Sequence, residues 1–124
     1  MNEDLKQGIL SLLQNFVNDL EKINQKFLRN FVAAEVIPLG STRAERELKR
    51  LLEDLEECYA THQELYLKLL EKHHFAAHLV PIEIEQVKQN ILNQSAFKIH
   101  IYKQLLQNKK ETMQKMYPSV RLDR

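Results

Sequence analysis

The sequence predicts an all-α fold, an antiparallel up-down-up bundle of three long, coiled-coil-like helices in one domain spanning residues 1–124. Three observations predict it. Apolar residues recur at three- and four-residue spacing through residues 3–33, 42–77 and 81–116, the period of an amphipathic helix. Only two breaks interrupt the pattern, Ile37-Pro38-Leu39-Gly40-Ser41 and Val80-Pro81. Two glycines and three prolines in 124 residues supply too little turn material for a β-rich fold.

The first helix is expected from Glu3 to Ala33 with Asn2 as its N-cap, since a side-chain oxygen there can accept from an otherwise unpaired N–H of the first turn. Leu5, Ile9, Leu12, Phe16, Leu20, Ile23, Phe27 and Phe31 form one continuous stripe. Its spacing averages between a seven- and an eleven-residue repeat, so it demands little supercoil. Leu13, Val17, Leu28 and Val32 widen it. A two-helix seam needs only a narrow stripe, so this helix is expected to touch two neighbours. Gly8 lies near the start, where the loss of helix propensity is tolerable.

Thr42 and Glu45 have capping-box spacing and open the second helix, expected to reach Ala77. Leu48, Leu51, Leu52, Leu55, Cys58, Tyr59, Leu65, Tyr66, Leu69 and Leu70 share one face, with His62 and His73 at positions where the period calls for leucine. Pro81 suits the first position of the third helix, where its missing N–H is harmless. The second and third helices are therefore expected to form a tight antiparallel hairpin. Ile84, Val87, Ile91, Ile99, Tyr102, Leu106 and Met113 line the third helix to Met116, Ser95 leaves a gap, and Phe97, Ile101 and Leu105 extend the face sideways. Residues 118–124 read as a flexible tail. At about 1.5 Å per residue the rod is roughly 45–50 Å long. The wide stripes and the lateral extension also permit completion of a larger bundle by dimerisation.

Hydrophobic residues make up 44% and charged residues 28% of the chain, enough to bury a core without a disordered bulk. No apolar run approaches a membrane span, and the start lacks a basic, apolar, small-residue signal. The single Cys58 excludes an intramolecular disulfide, and a cytoplasmic, reducing setting is expected. Asn93-Gln94-Ser95 matches a glycosylation acceptor but falls inside a predicted helix.

The net charge is +1, which argues against a dedicated nucleic-acid binder. Its distribution is polarised. Residues 26–50 and 103–124, which an up-down-up topology brings to one end, carry twelve Lys and Arg against five Asp and Glu, about +7. The remainder has six basic and twelve acidic residues, about −6. Lys109, Lys110 and Lys115 suit the end of a helix dipole, but Arg43, Arg46, Lys49 and Arg50 stand at the start of a helix, where the dipole does not favour them.

His74 and His78, four apart with Glu71 nearby, are the candidate metal ligands, because an i,i+4 pair on a helix can grip one ion. The Glu-x-x-His pattern of di-iron bundles is not repeated on a second helix, and no metal or other cofactor is expected. By helical rise His62 is expected level with Ile99 and Tyr102, whose hydroxyl could satisfy an imidazole nitrogen in a polar core layer. His62 and His73 read as structural or pH-sensing positions. Cys58 lies on the apolar face, no nucleophile elbow or phosphate loop is present, and no enzymatic activity is expected.

The expected function is a non-catalytic protein–protein interaction module, an adaptor, regulator or chaperone-type bundle. Its partner is expected to be another protein offering an acidic or helical segment, or a second copy of the chain. Candidate partner-binding residues are Arg43, Arg46, Lys49, Arg50, Lys109 and Lys110 at the basic end, with Phe97 and Ile101 on the side. The alternatives are a nucleic-acid-associated protein using the basic end and a metal-binding bundle. In length and pattern alone the chain resembles three-helix interaction domains such as spectrin-type repeats, syntaxin N-terminal domains or bacterial export chaperones. It lacks the tryptophan typical of the first.

Overall fold

The computed structural model describes residues 1–34 and 42–116. The expected break at Pro38 and Gly40 and the tail 118–124 lie outside the described residues. The described chain is α1 (Glu3–Ala33), α2 (Arg43–Lys72), a single 3-10 turn (Ala77–Leu79) and α3 (Ile82–Met116). No strand occurs among the described residues, and the fold is the all-α helical bundle that the apolar period predicts.

Local chemistry sets most of the helix ends. Asn2 Oδ1 accepts from the Leu5 amide at 2.7 Å, and Thr42 Oγ1 accepts from the Glu45 amide at 3.1 Å. Each supplies an oxygen to an N–H that has no partner within its helix. The Pro81 carbonyl accepts from the amides of Ile84 and Glu85, so Pro81 caps α3 rather than occupying its first turn.

The end of α2 departs from the sequence expectation. The helix stops at Lys72, not Ala77. The His74 amide donates to the Glu71 carbonyl at 3.0 Å and the Phe75 amide to the Leu70 carbonyl at 2.9 Å. His74 has φ 51°, and together these form a Schellman motif. Phe75 packs into the same apolar cluster as Leu70, the hydrophobic contact that accompanies such an ending. Residues 73–81 are spent on this turn and the 3-10 turn, so the hairpin is longer than the tight connection expected.

That longer connection changes the register between α2 and α3. His62 lines a cavity with Lys88 and Leu92, well below the level of Tyr102. The expected His62–Tyr102 layer is therefore replaced by two separate contacts. The Tyr102 hydroxyl donates to Asn24 Oδ1 at 2.8 Å, while His62 Nε2 meets Asp19 Oδ2 at 2.8 Å. His62 also stacks on Phe16 with centroids 4.8 Å apart, and its Nδ1 is buried without a partner.

Two apolar clusters share Ile91 at their junction. One gathers Leu5, Ile9, Leu13, Tyr66, Leu70, Val80 and Ile84. The other runs from Phe16 through Phe27 and Phe31 of α1 to Leu48, Leu51, Leu55 and Cys58 of α2 and Tyr102 of α3. Gly8 belongs to this packing rather than to a tolerant end, since a Cβ there would stand 3.1 Å from Leu69 Cδ2. α1 and α2 pack most closely, and α3 stands farther off. α3 buries only Ile84, Ser95 and Tyr102, at spacings of eleven and seven residues along one line of the helix. Polar contacts hold its register. Ser95 bonds to the Tyr59 hydroxyl, and the Tyr66 hydroxyl donates to Glu85 Oε1 at 2.8 Å.

Candidate functional site

Because α3 stands away from the tightly packed α1–α2 pair, the seam between α1 and α3 stays open. α1 and α3 run parallel, with Tyr102 beside Asn24 and Lys109 beside the end of α1 at Phe31. Near the Lys109 end the seam holds an open groove of about 460 Å³ between Leu28, Phe31 and Val32 of α1 and Leu105, Met113 and Met116 of α3. A smaller groove of about 150 Å³ continues it between Val17 and Leu20 on one side and Ile91, Gln94 and Lys98 on the other.

The rim of this seam is apolar and uncovered. Val32 is 74% exposed, Phe97 64% and Met116 64%. Leu10, Val17 and Leu28 on α1, and Val87, Ile101 and Leu105 on α3, are also exposed. Val17, Leu28 and Val32 were expected to widen a covered stripe, and they instead border the opening. Phe97, Ile101 and Leu105 are four residues apart and form one row on α3, with Leu105 in the groove wall.

The polar residues of α1 and α3 differ in balance from those of α2. α2 carries fourteen charged residues and one amide, Gln63, in its 30 residues. α1 and α3 carry seventeen charged residues and sixteen Asn or Gln in 66. Charge therefore concentrates on α2, while amides are about as frequent as charges on α1 and α3, and the seam itself carries Glu21 and Lys98 beside Asn24 and Gln94.

The basic end is assembled as the topology predicts, and part of it serves the fold. Lys109 Nζ donates to the carbonyl oxygens of Phe31 and Ala34, both at 3.0 Å, and stands 4.8 Å from the Phe31 ring centroid. An ammonium from α3 thus closes the C-terminal end of α1, where carbonyls lack helical partners and the dipole is negative. Lys110 pairs with Glu45 at 2.6 Å. Arg50 reaches Glu47 at 3.5 Å, while Arg43, Arg46 and Lys49 are exposed.

His74 and His78 do not share a helix face, because α2 ends before both and His78 lies in the 3-10 turn. The i,i+4 geometry for gripping an ion with Glu71 is thereby lost. His73 is the C-cap of α2 and half-buried. Among the described residues no three His, Cys, Asp or Glu side chains converge as a metal site would require.

On the opposite side of the bundle, a groove of about 390 Å³ between α1 and α2 is lined by Asp19, Asp54, Glu57, Cys58 and His62. Burial raises the Cys58 thiol above its ordinary pKa, and the nearby Asp19 charge raises it further. The neutral thiol is a poor nucleophile. No helix among the described residues is long and apolar enough to cross a membrane. Comparison with family models, curated proteins and solved structures finds no match for this chain.

Proposed function

We propose that the chain is a non-catalytic protein–protein interaction module of the adaptor, regulator or chaperone type. Its binding face is the open α1/α3 seam, which takes an apolar helical surface of a protein partner. The observation that carries this reading is the set of uncovered apolar residues on both sides of the seam, Val17, Leu28 and Val32 of α1 and Leu105 and Met116 of α3, around its two grooves. Because α1 and α3 are parallel, partner helices antiparallel to both would extend the alternating order of the bundle and set opposed dipoles side by side. A single buried thiol suits work in a reducing, cytoplasmic setting.

A nucleic-acid role draws less support from the basic end. Tyr102 is buried and bonded to Asn24, so it is not offered as a stacking platform for bases. Lys109 and Lys110 are engaged within the bundle.

The test is site-specific photocrosslinking in the native host. A photoreactive side chain at Leu105, on the seam, should yield adducts with another polypeptide chain. The same group at Glu57, on the far side, should not. Adducts from Glu57 but not Leu105, or from neither, would overturn the reading.

A further inference from the structure

We propose that the surface laid on the α1/α3 seam is that of a second copy of the chain, running antiparallel and related by a two-fold axis that crosses the rod at Phe97. The inference rests on the interaction reading above and names its partner. The axial position of Phe97 comes first. The Tyr102–Asn24 and Lys109–Phe31 contacts both join residues 78 apart, so Phe97 is level with residue 19, near the middle of α1 (Glu3–Ala33). A side chain at that level on the open face meets its own copy across a perpendicular two-fold axis. An exposed phenyl ring suits that place, since two rings attract where two like charges would repel.

The neighbours of Phe97 make the same point. Gln14 and Asn18 of α1, already bonded to each other at 3.1 Å, and Asn93 and Gln94 of α3 lie within five residues of this level, and Glu21 and Lys98, of opposite charge, flank it in the seam. Asn18 is one residue from the axis level and its amide both donates and accepts, so it can pair with its own copy, which neither an ammonium nor a carboxylate can do. Charge then selects the direction. The described residues give the end formed by residues 26–50 and 103–116 ten basic side chains against three acidic, about +7, and leave the remainder near −6. An antiparallel pair sets each basic end along the acidic part of its partner, whereas a parallel pair superposes the two basic ends. The area is sufficient. A face about 45 Å long and two helices wide offers roughly 900 Å² per copy, the scale of a standard stable interface.

Sedimentation equilibrium of the purified full chain tests the proposal. The wild type should sediment at twice the chain mass of 14.7 kDa. Phe97→Glu, which places two carboxylates at the axis, should halve that mass with no loss of helical circular dichroism. The direction is tested by oxidation. Phe97→Cys should give a disulfide-linked dimer, while Val32→Cys, far from the axis, should not. A monomeric wild type, an unchanged mass for Phe97→Glu, or a disulfide through Val32→Cys in place of Phe97→Cys would overturn the proposal. If the chain is monomeric while Leu105 still crosslinks to a different polypeptide in the host, the second-copy inference falls and the interaction reading stands. If Leu105 yields no adduct, both fall.

Discussion

The Tyr102 hydroxyl donates to Asn24 Oδ1 at 2.8 Å across the α1–α3 seam, and Asn24 Nδ2 donates in turn to the Leu20 carbonyl at 2.7 Å. Both side chains are buried, so each is the other's substitute for water, and burial holds the phenol above its ordinary pKa. The pair joins residues 78 apart and sets the parallel register on which the open face depends.

Removing the hydroxyl alone strands the Asn24 oxygen. Tyr102→Phe should therefore cost about 1–3 kcal/mol in a urea unfolding titration. Asn24→Leu combined with Tyr102→Phe should recover part of that loss, because two apolar partners leave no unpaired group. A double-mutant cycle with no coupling would show that the pair does not hold the register.

The Schellman ending of α2 places His74 at φ 51°, a region where a Cβ is strained and glycine is not. His74→Gly should stabilise the protein by about 0.5–1 kcal/mol, measured as a shift in the urea midpoint at unchanged slope. A loss of stability would mean that the imidazole makes a contact worth more than the strain.

Lys109 closes the end of α1 through two carbonyls. Lys109→Met keeps the apolar stem and removes the charge, and should lower stability by about 1–2 kcal/mol. Amides in the last turn of α1 should exchange faster in the variant. Unchanged exchange there would argue against this cap.

Alkaline pH should destabilise the fold. Burial, the hydrogen bond to Glu85 and the Glu85 charge push Tyr66 well above its ordinary pKa of 10.0, burial raises Tyr102 from the same value, and burial with Asp19 raises Cys58 from 9.0. Below about pH 8 these groups are essentially protonated whether folded or not, and the stability is fully present. Above it the unfolded chain loses protons that the folded chain keeps, so stability falls with rising pH, by up to about 1.4 kcal/mol per pH unit for each group. Urea midpoints from pH 7 to 11 check this, and Tyr66→Phe should flatten the decline above pH 10. A midpoint independent of pH would contradict it.

What the sequence discloses and what it withholds divide along local and global physics. The bounds of α1 and the caps at Asn2 and Thr42 were legible because each depends on a few neighbouring residues. The end of α2 was not. Helix-ending left-handed residues are usually glycine or asparagine, and His74 is neither, while the apolar period runs on past it. That error carried into the register, since residues 73–81 determine which part of α3 faces His62. Exposed Phe97 and Ile101 were legible as a lateral extension of α3. The opening beside Val17, Leu28 and Val32 was not, because stripe width shows that a helix has something to cover but not whether its neighbour comes close enough to do so. The lower charge density of α1 and α3 relative to α2 was present in the sequence, but it distinguishes helices and not the faces of one helix.

The most direct test of the binding face is concentration-dependent thiol labelling of single-cysteine variants made in a Cys58→Ala background. Ile101→Cys on the α1/α3 seam should label progressively more slowly as protein concentration rises. Glu57→Cys, on the α1/α2 side, should label at a constant rate. Equal, concentration-independent labelling at both positions would contradict pairing of two copies through this seam, as would protection of Glu57→Cys alone.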